Sequence, residues 1–433
     1  MGTIVECFHG EEDMKKYLPR LIEIEIAKQL KAMGCVVIDG PKWCGKSTTG
    51  ERFAKTIIKL QKKEVLNKYK TFAETDSSLL FEGERPIMFD EWNLLPELWD
   101  YVRVEVDESK GRGDFILTGS AKPLEDPNRH SGIGRIVKVK MRPLSLWESE
   151  ESTGKVSLGD LFKGVQKISG TCSLKLKDIA YLICRGGFPE TIGEERDTAL
   201  TLSKNYYKAL VEHDITNVDD IKRNPERAKK ILQSYSRNIS SCATNKTIKD
   251  DITSTDDTLD EKTLSSYTNA FKKLFVIEDI IAWSPKLRSA TTIRASHKRQ
   301  LVDPSIAAAA LGASPDDLIN DMNTFGLLFE SLCIRDLRIY AESLGGEIYH
   351  YQDNGGLEAD AIVHLENGDW GAVEIKLGAH DIDMAAANLL KLKDRVDEKK
   401  MKEPKFLMIL TGLDYGYTRQ DGVHVVPIGC LKN

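Results

Sequence analysis

The chain has 433 residues, 41% of them hydrophobic and 30% charged, which suits about two to four globular domains. The net charge of −6 means that any nucleic-acid contact must come from a local basic face. No apolar run approaches the ~18 residues of a membrane helix, and MGTIVECFHGEEDMKKYL is too charged for a secretory signal. The eight cysteines form no CxxC pair, which argues for reduced thiols in a cytoplasm rather than zinc or disulfides.

In chain order, PRLIEIEIAKQLKAM (19–33) has helical spacing at Leu21, Ile24, Ala27 or Lys28, and Ala32, and Gly34 stops it. CVVID (35–39) is a short buried strand. A helix is expected from Lys46 to about Lys62. RPIMFDEW (85–92) and DFILTGS (114–120) read as further buried strands, joined by the acidic helix LPELWDYVRVEVDES.

Between the first strand and its helix lies Gly40-Pro41-Lys42-Trp43-Cys44-Gly45-Lys46-Ser47-Thr48, a G-x-x-x-x-G-K-[ST] phosphate loop. Its glycines let backbone N–H groups wrap phosphate oxygens, and the helix start adds a positive dipole end. Lys46 is expected on the β and γ phosphates and Ser47 on Mg²⁺, so ATP and Mg²⁺ are the expected cofactors. FDE ends an apolar strand, with Asp90 placed to hold the metal and Glu91 to orient the attacking water. Thr118 or Ser120, at the next strand's end, is expected to sense the γ-phosphate or that water.

From about 151 to 245 the text is helical, and DDITSTDDTLDE (250–261) marks a boundary or loop. KTIKDDI is a short amphipathic segment. In DEKTLSSYTNAFKKLFVIEDI, Leu264, Tyr267, Phe271 and Leu274 share one face and Asp260 caps the start. The opposite face carries Lys262, Ser265, Ser266, Asn269, Lys272 and Lys273. IIAWSPKLRS and TTIRASHKRQLVD then read as two strands around a basic ribbon of Lys286, Arg288, Arg294, His297, Lys298 and Arg299. Helix, helix and basic hairpin is the order of a winged helix, suited either to DNA or to a protein contact.

The last hundred residues read helix (321–343), strand (346–351), strand (358–365), strand (370–377), helix (383–398), strand (405–411) and strand (423–427). A hairpin would bring Asp360 of GLEADAIVHL beside Glu374 and Lys376 of GAVEIKLG. Two carboxylates could then bind one or two Mg²⁺, with Lys376 serving the attacking water and Glu330 of FGLLFESL aimed at the same metal. The bland alternative is a structural Asp360–Lys376 pair. His213-Asp214 reads as packing or capping, Arg185-Gly186-Gly187-Phe188-Pro189 as a turn between helix and loop, and Ser305 as a helix cap.

GPKWCGKSTT, MFDEW, FILTGSA, HSGIGRIVKVKMRPLSLWE, RGGFPE, LVDPSIAAAALG, FGLLFESLCIRDLRIYA and LEADAIVHL together resemble the AAA-type P-loop ATPases whose C-terminal half is the DUF4143 domain. The resemblance implies an ATP-binding domain over about 15–150. It makes Arg135, in GIGR, the candidate charge-stabilising arginine, with Arg129 and Arg142 as rivals. The Asp360, Glu374 and Lys376 constellation resembles the PD-(D/E)XK nuclease core, to which that family's C-terminal domain is similar.

The expected fold is α/β. It comprises a P-loop domain (1–150), a helical lid or linker (151–245), a winged-helix-like domain (246–310) and an α/β PD-(D/E)XK-like domain (311–433). The expected function is an ATPase acting on DNA. The alternative is an ATP-gated switch or scaffold that binds a protein or DNA partner and cuts nothing, with a homo-oligomer possible. A small-molecule kinase fits the P-loop but not the Asp90-Glu91 pair, which is built to use water.

Overall fold

A computed structural model describes residues 17–119, 131–219, 221–253, 259–285, 296–353, 355–396 and 401–433. Strands β1 (Cys35–Asp39), β2 (Thr56–Lys59), β3 (Ile87–Asp90), β4 (Phe115–Gly119) and β5 (Ile136–Lys140) form a parallel sheet in the order β2-β3-β4-β1-β5. β1, β3 and β4 are buried along their whole length, as apolar runs covered on both faces must be. Helices α1 (Ile22–Ala32) and α2 (Lys46–Glu51) flank the sheet, as do α3 (Lys63–Thr75) and α4 (Leu98–Ser109). Ile22 and Ile26 of α1 pack on Val36, Ile38 and Met88, whereas α4 places Leu98, Trp99, Val102 and Val106 against Val37, Phe89 and Leu117.

Two local readings are corrected here. The helix that begins at Lys46 ends at Glu51, because β-branched Thr56, Ile57 and Ile58 form β2 beside β3. In α1 the buried face is Ile22 and Ile26, and Ile24 is exposed.

In the middle, β6 (Val156–Ser157), α5 (Leu158–Phe162) and β7 (Ser169–Thr171) precede the helices. These are α6 (Leu176–Arg185), α7 (Arg196–Ala209), a π-helical turn (Leu210–Asp214), α8 (Ile215–Asn217), α9 (Pro225–Arg237), α10 (Asn245–Thr253), α11 (Glu261–Lys273) and α12 (Pro304–Leu311). The small residues of α12 sit against α6, α7 and α9, so helices on both sides of residue 245 share one core. Leu264, Tyr267 and Phe271 of α11 are buried while Lys262, Asn269 and Lys272 are exposed, as the pattern requires. After α11 come two antiparallel bridges, Ile277 with Leu301 and Ile280 with Lys298, rather than two full strands. Lys286, Arg288 and Arg294 lie outside the described residues.

The C-terminal part follows α13 (Pro315–Asn320) with α14 (Met322–Ser343), β8 (Gly346–Gln352), β9 (Glu358–Leu365), β10 (Trp370–Lys376), α15 (Ile382–Arg395), β11 (Leu407–Thr411), β12 (Tyr415–Thr418), β13 (His424–Pro427) and β14 (Leu431–Lys432). Its sheet runs β7-β12-β13-β11-β10-β9-β8, antiparallel from β8 to β10 and parallel from β10 through β11 to β13. Helix α14 covers the face of Val363, Val373 and Ile375, and α15 covers the face of Ile362, Trp370 and Ala372. β7 pairs with β12 at the edge of this sheet, and β6 pairs with β14 in a separate two-stranded sheet. Strand β12 was not expected from the sequence. Among the described residues, no helix is long and apolar enough to cross a membrane.

Candidate functional site: a phosphate loop wired to a carboxylate cluster

The phosphate loop leaves the C-terminal end of β1, the edge where an open parallel sheet binds ligands. Gly40 is fixed by contact, since a Cβ there would lie 2.1 Å from the Met141 carbonyl oxygen. Gly45 is fixed by its φ of +96°, and Trp43 at the tip also takes a left-handed φ of 65°. Lys46 is buried, and its Nζ donates to the Pro41 carbonyl oxygen at 2.7 Å.

The β3–β4 register sets Asp90 opposite Thr118. Both the Ser47 and Thr118 hydroxyls donate to Asp90 Oδ1 at 2.6 Å, and Gln61 Nε2 reaches Oδ2 at 3.5 Å. Thr118 is therefore engaged in holding Asp90. A serine hydroxyl beside a carboxylate is a hard-oxygen donor pair, and these residues fit Mg²⁺. Glu91 follows Asp90 at φ 55°, ψ 48°, a left-handed conformation that costs a non-glycine residue on the order of 1–3 kcal/mol and clusters at functional sites. Beside Gly45 and Thr48 opens a cavity of about 470 Å³, lined by Tyr17, Leu18, Leu144, Pro189 and Ile192.

Several residues around the loop gave no sequence signal. Buried Arg20 donates from Nη1 to the Cys44 carbonyl (2.8 Å), from Nη2 to the Arg142 carbonyl (2.7 Å) and from Nε to Glu148 (3.2 Å). Lys42 Nζ lies 2.6 Å from Asp214 Oδ1, and the Trp43 ring sits 5.6 Å from that of Tyr206. The loop's tip is thus held by α7 and the π turn. Asp214 has this role, while neighbouring His213 uses its carbonyl to accept from Thr216 and Asn217.

Two of the candidate arginines are engaged away from the phosphates of this chain's own loop. The Arg135 carbonyl accepts from Cys35 N–H at the start of β1, and its guanidinium pairs with Asp107 at 2.7 Å. The length of a five-residue strand, roughly 16 Å, separates that end of the sheet from the chain's own phosphate loop. Arg142 is clamped between Glu278 and Glu342. Arg129 and Ser120 lie outside the described residues.

Behind the loop runs a buried polar chain. Glu148 accepts from Arg20 and from Ser145 N–H, and Asp336 of α14 accepts from Leu146 N–H at 2.9 Å. Arg335 joins Asp336 to Asp303, and Asp303 accepts from Gly187 N–H at 2.9 Å. Gly187 has no room for a side chain, because a Cβ would sit 2.1 Å from the Leu144 carbonyl oxygen. Asp303, not Ser305, caps α12.

In the C-terminal sheet, the β9–β10 pairing brings Asp360, Glu374 and Lys376 together as expected. Lys376 Nζ is 2.7 Å from Glu374 and 3.4 Å from Asp360, and Ile375 N–H donates to Asp360 at 2.8 Å. Glu330 of α14 is there too. Lys298, expected on a solvent-facing ribbon, instead lies 2.5 Å from Glu330 Oε1 and 2.9 Å from Asp360 Oδ1. Burial would lower the Lys298 pKa, but the Asp360 and Glu330 charges outweigh it and raise it. Burial, with Asp360 nearby, pushes Glu374 up to about 8, and burial pushes Glu330 up to about 7 despite Lys298. For Asp360 burial is overcome by Lys298 and Lys376, which hold it well below the usual carboxylate range. The expected metal set of Glu330, Asp360 and Glu374 is corrected in this state. Among the described residues no three His, Cys, Asp or Glu side chains are grouped to hold a metal ion, and ammonium groups lie between these carboxylates.

On α11, Lys262, Ser265, Ser266, Asn269, Lys272 and Lys273 line an open cleft of about 800 Å³. Lys273 there pairs with Asp219 at 3.3 Å.

Family models match three parts of the chain: an AAA domain over 33–150, a domain of unknown function (DUF8612) over 176–317, and a domain of unknown function (DUF4143) over 325–431. No curated protein matches the chain. Among solved structures, the Walker-type ATPase PABY2304 of Pyrococcus abyssi is similar at 15% identity, covering 68% of this chain and 96% of that one with a TM-score of 0.41. With the phosphate loop, Asp90 and Glu91 in place on their sheet, residues 33–150 are an AAA-type P-loop ATPase domain, and residues 325–431 are a DUF4143 domain.

Proposed function

We propose that the chain is an ATP-driven switch whose ATPase domain governs a DNA-contacting middle and a C-terminal carboxylate domain. The observation that carries the ATP·Mg²⁺ reading is the convergence of Ser47 and Thr118 on Asp90 at the mouth of the phosphate loop. Backbone N–H groups from Lys42 to Ser47 cradle the phosphates, and Lys46 exchanges the Pro41 carbonyl for a phosphate oxygen. Ser47 and Asp90 hold Mg²⁺, which when bound neutralises charge on the phosphates. Glu91 orients and polarises the attacking water. The cavity beside Thr48 takes the base between Tyr17 and Ile192. Lys46→Ala should abolish nucleotide binding. Glu91→Gln should keep it while turnover falls about 10²–10⁴-fold. A Glu91→Gln variant with wild-type turnover would remove Glu91 from the mechanism.

The domain reading is an ATPase domain (1–150), a helical lid (151–245), a winged-helix-like part (246–310) and a nuclease-like domain (311–433). The helix–strand–strand–strand–helix–strand order from α14 to β11 supports the last. The seven described cysteines are free, as suits a reducing compartment. DNA contact rests on the hydroxyl, amide and lysine face of α11. Lys262→Glu with Lys272→Glu should weaken DNA binding and reduce the salt slope by about 2. Unchanged binding of every DNA form would make this face a protein contact. A switch that cuts nothing is favoured over a nuclease by Lys298, which ties up two of the three carboxylates.

A further inference from the structure

Arg20 precedes α1 and lies outside the phosphate-loop motif, yet its Nη1 donates to the Cys44 carbonyl oxygen of that loop at 2.8 Å. The Cys44–Gly45 peptide is trans, so its N–H points away from its carbonyl. With the carbonyl held on Arg20, the Gly45 N–H is turned the other way, and among the described residues no backbone carbonyl accepts it. Glycine does not fix this orientation by itself. Turning the peptide over changes ψ of Cys44 and φ of Gly45, and glycine accepts either sign of φ. The reversed peptide would offer a carbonyl oxygen to a phosphate oxygen, repulsion where a bond is needed. Arg20 cannot swing away to allow it. The residue is buried, its Nε meets Glu148 Oε1 at 3.2 Å, and its Nη2 donates to the Arg142 carbonyl at 2.7 Å. Glu148 is fixed in turn, with Oε1 accepting from Leu21 N–H at 2.8 Å and Oε2 from Ser145 N–H at 2.9 Å.

We propose that Arg20 is a positioning residue for ATP hydrolysis, one that locks the Cys44–Gly45 peptide with the Gly45 N–H presented to the β-phosphate of the nucleotide. Lys46, which reaches the β and γ phosphates, follows Gly45 directly, so the amide before it faces the same group. The loop's two inward hazards are then both restrained by cations: the Pro41 carbonyl by Lys46 and the Cys44 carbonyl by Arg20. Lys46 leaves its carbonyl when phosphate arrives, whereas Arg20 stays. The inference rests on the nucleotide reading of the loop and adds to it a residue that the motif does not contain.

The test uses the full-length chain and competition of ATP, ADP and AMP against a fluorescent ATP analogue. Arg20→Lys keeps a cation beside Glu148 but loses the planar fork that spans three acceptors. ATP and ADP should each bind this variant about tenfold more weakly, while AMP, which has no β-phosphate, should change by less than about twofold. Arg20→Met with Glu148→Gln leaves no unpaired buried charge and should show the same split, with thermal melting confirming that each variant is folded at the assay temperature. If ATP and AMP lose affinity alike, Arg20 shapes the pocket as a whole and the proposal falls. ATP binding as tight as wild type in both variants would overturn it as well. Wild type that binds no nucleotide, or Lys46→Ala that binds ATP as wild type does, would instead remove the nucleotide reading on which it rests.

Discussion

Lys42, inside the phosphate loop, donates to Asp214 in the π turn at 2.6 Å, across 172 positions of sequence. The pair fixes the loop's tip to the helical layer while Lys46 is turned onto the Pro41 carbonyl. An acidic partner beside a phosphate cradle competes with the phosphates for the same cation. Asp214→Asn should therefore tighten nucleotide binding by about twofold to fivefold, the yield of a part-exposed ion pair. Titration with a fluorescent ATP analogue reads this directly, and weaker binding in Asp214→Asn would mean that the contact preorganises the loop instead.

Gly187 makes the second joint between the ATPase domain and the helices. A Cβ there would overlap the Leu144 carbonyl at 2.1 Å and press on Arg335 at 2.9 Å; Leu144 N–H is bonded to the Gly187 carbonyl and Arg335 is tied to Asp336, so neither can move away freely. Gly187→Ala should cost about 3 kcal/mol in stability, with ATP turnover lost at lower temperature than in wild type. Gly193→Ala is the control: its φ of +78° is unfavourable for alanine but its Cβ meets nothing within 4 Å, so only about 1 kcal/mol is expected. Equal effects from both would place the cost in the backbone and not in the packing.

The phosphate loop, Asp90 and Glu91 were legible because their chemistry is local: a short motif between a strand and a helix, and two acids at the end of a buried strand. The β9–β10 hairpin was legible from alternation alone. What could not be read was contact between segments far apart. Arg20, Asp214 and Tyr206 reach the loop from positions with no motif of their own, and their place follows from how α1 and α7 pack. Lys298 shows the limit best. Its neighbours His297 and Arg299 suggested a solvent-facing ribbon, yet one bridge to Ile280 turns its side chain into the carboxylate cluster. The place of Arg135 was hidden for the opposite reason, since a parallel sheet has two ends and sequence order does not say which end a loop occupies.

The link from α14 to the ATPase domain gives a third prediction. Arg335 is fully buried between Asp303 and Asp336, with Asp303 also accepting from Gly187 and Asp336 from Leu146. Removing one member leaves two buried carboxylates without their cation, a loss of about 3–5 kcal/mol. Arg335→Met should therefore lower the melting temperature sharply. Arg335→Met with Asp303→Asn and Asp336→Asn should recover most of it, because no uncompensated charge remains. If the triple variant stays as unstable as the single one, the hydrogen bonds to Gly187 and Leu146, and not the charges, hold the joint.

The carboxylate cluster makes stability depend on pH in a direction that can be worked out. Glu374 is pushed up to about 8 by burial and by Asp360, against an ordinary value of 4.5. A carboxyl raised on folding holds its proton more tightly in the folded chain. Its contribution is fully present below about 4.5 and is lost as pH rises through about 8. Glu330, raised to about 7 mainly by burial, acts in the same sense over the lower part of that window. Wild type should thus lose stability between pH 5 and pH 9 beyond what exposed groups explain, by on the order of 2–4 kcal/mol. Glu374→Gln fixes the protonated shape and cannot ionise. Its melting temperature should match or trail wild type at pH 5 and exceed it at pH 9, the difference growing steadily between. Parallel melting curves for the two proteins across that range would mean that Glu374 is already ionised and paired with Lys376, and that the cluster carries no shared proton.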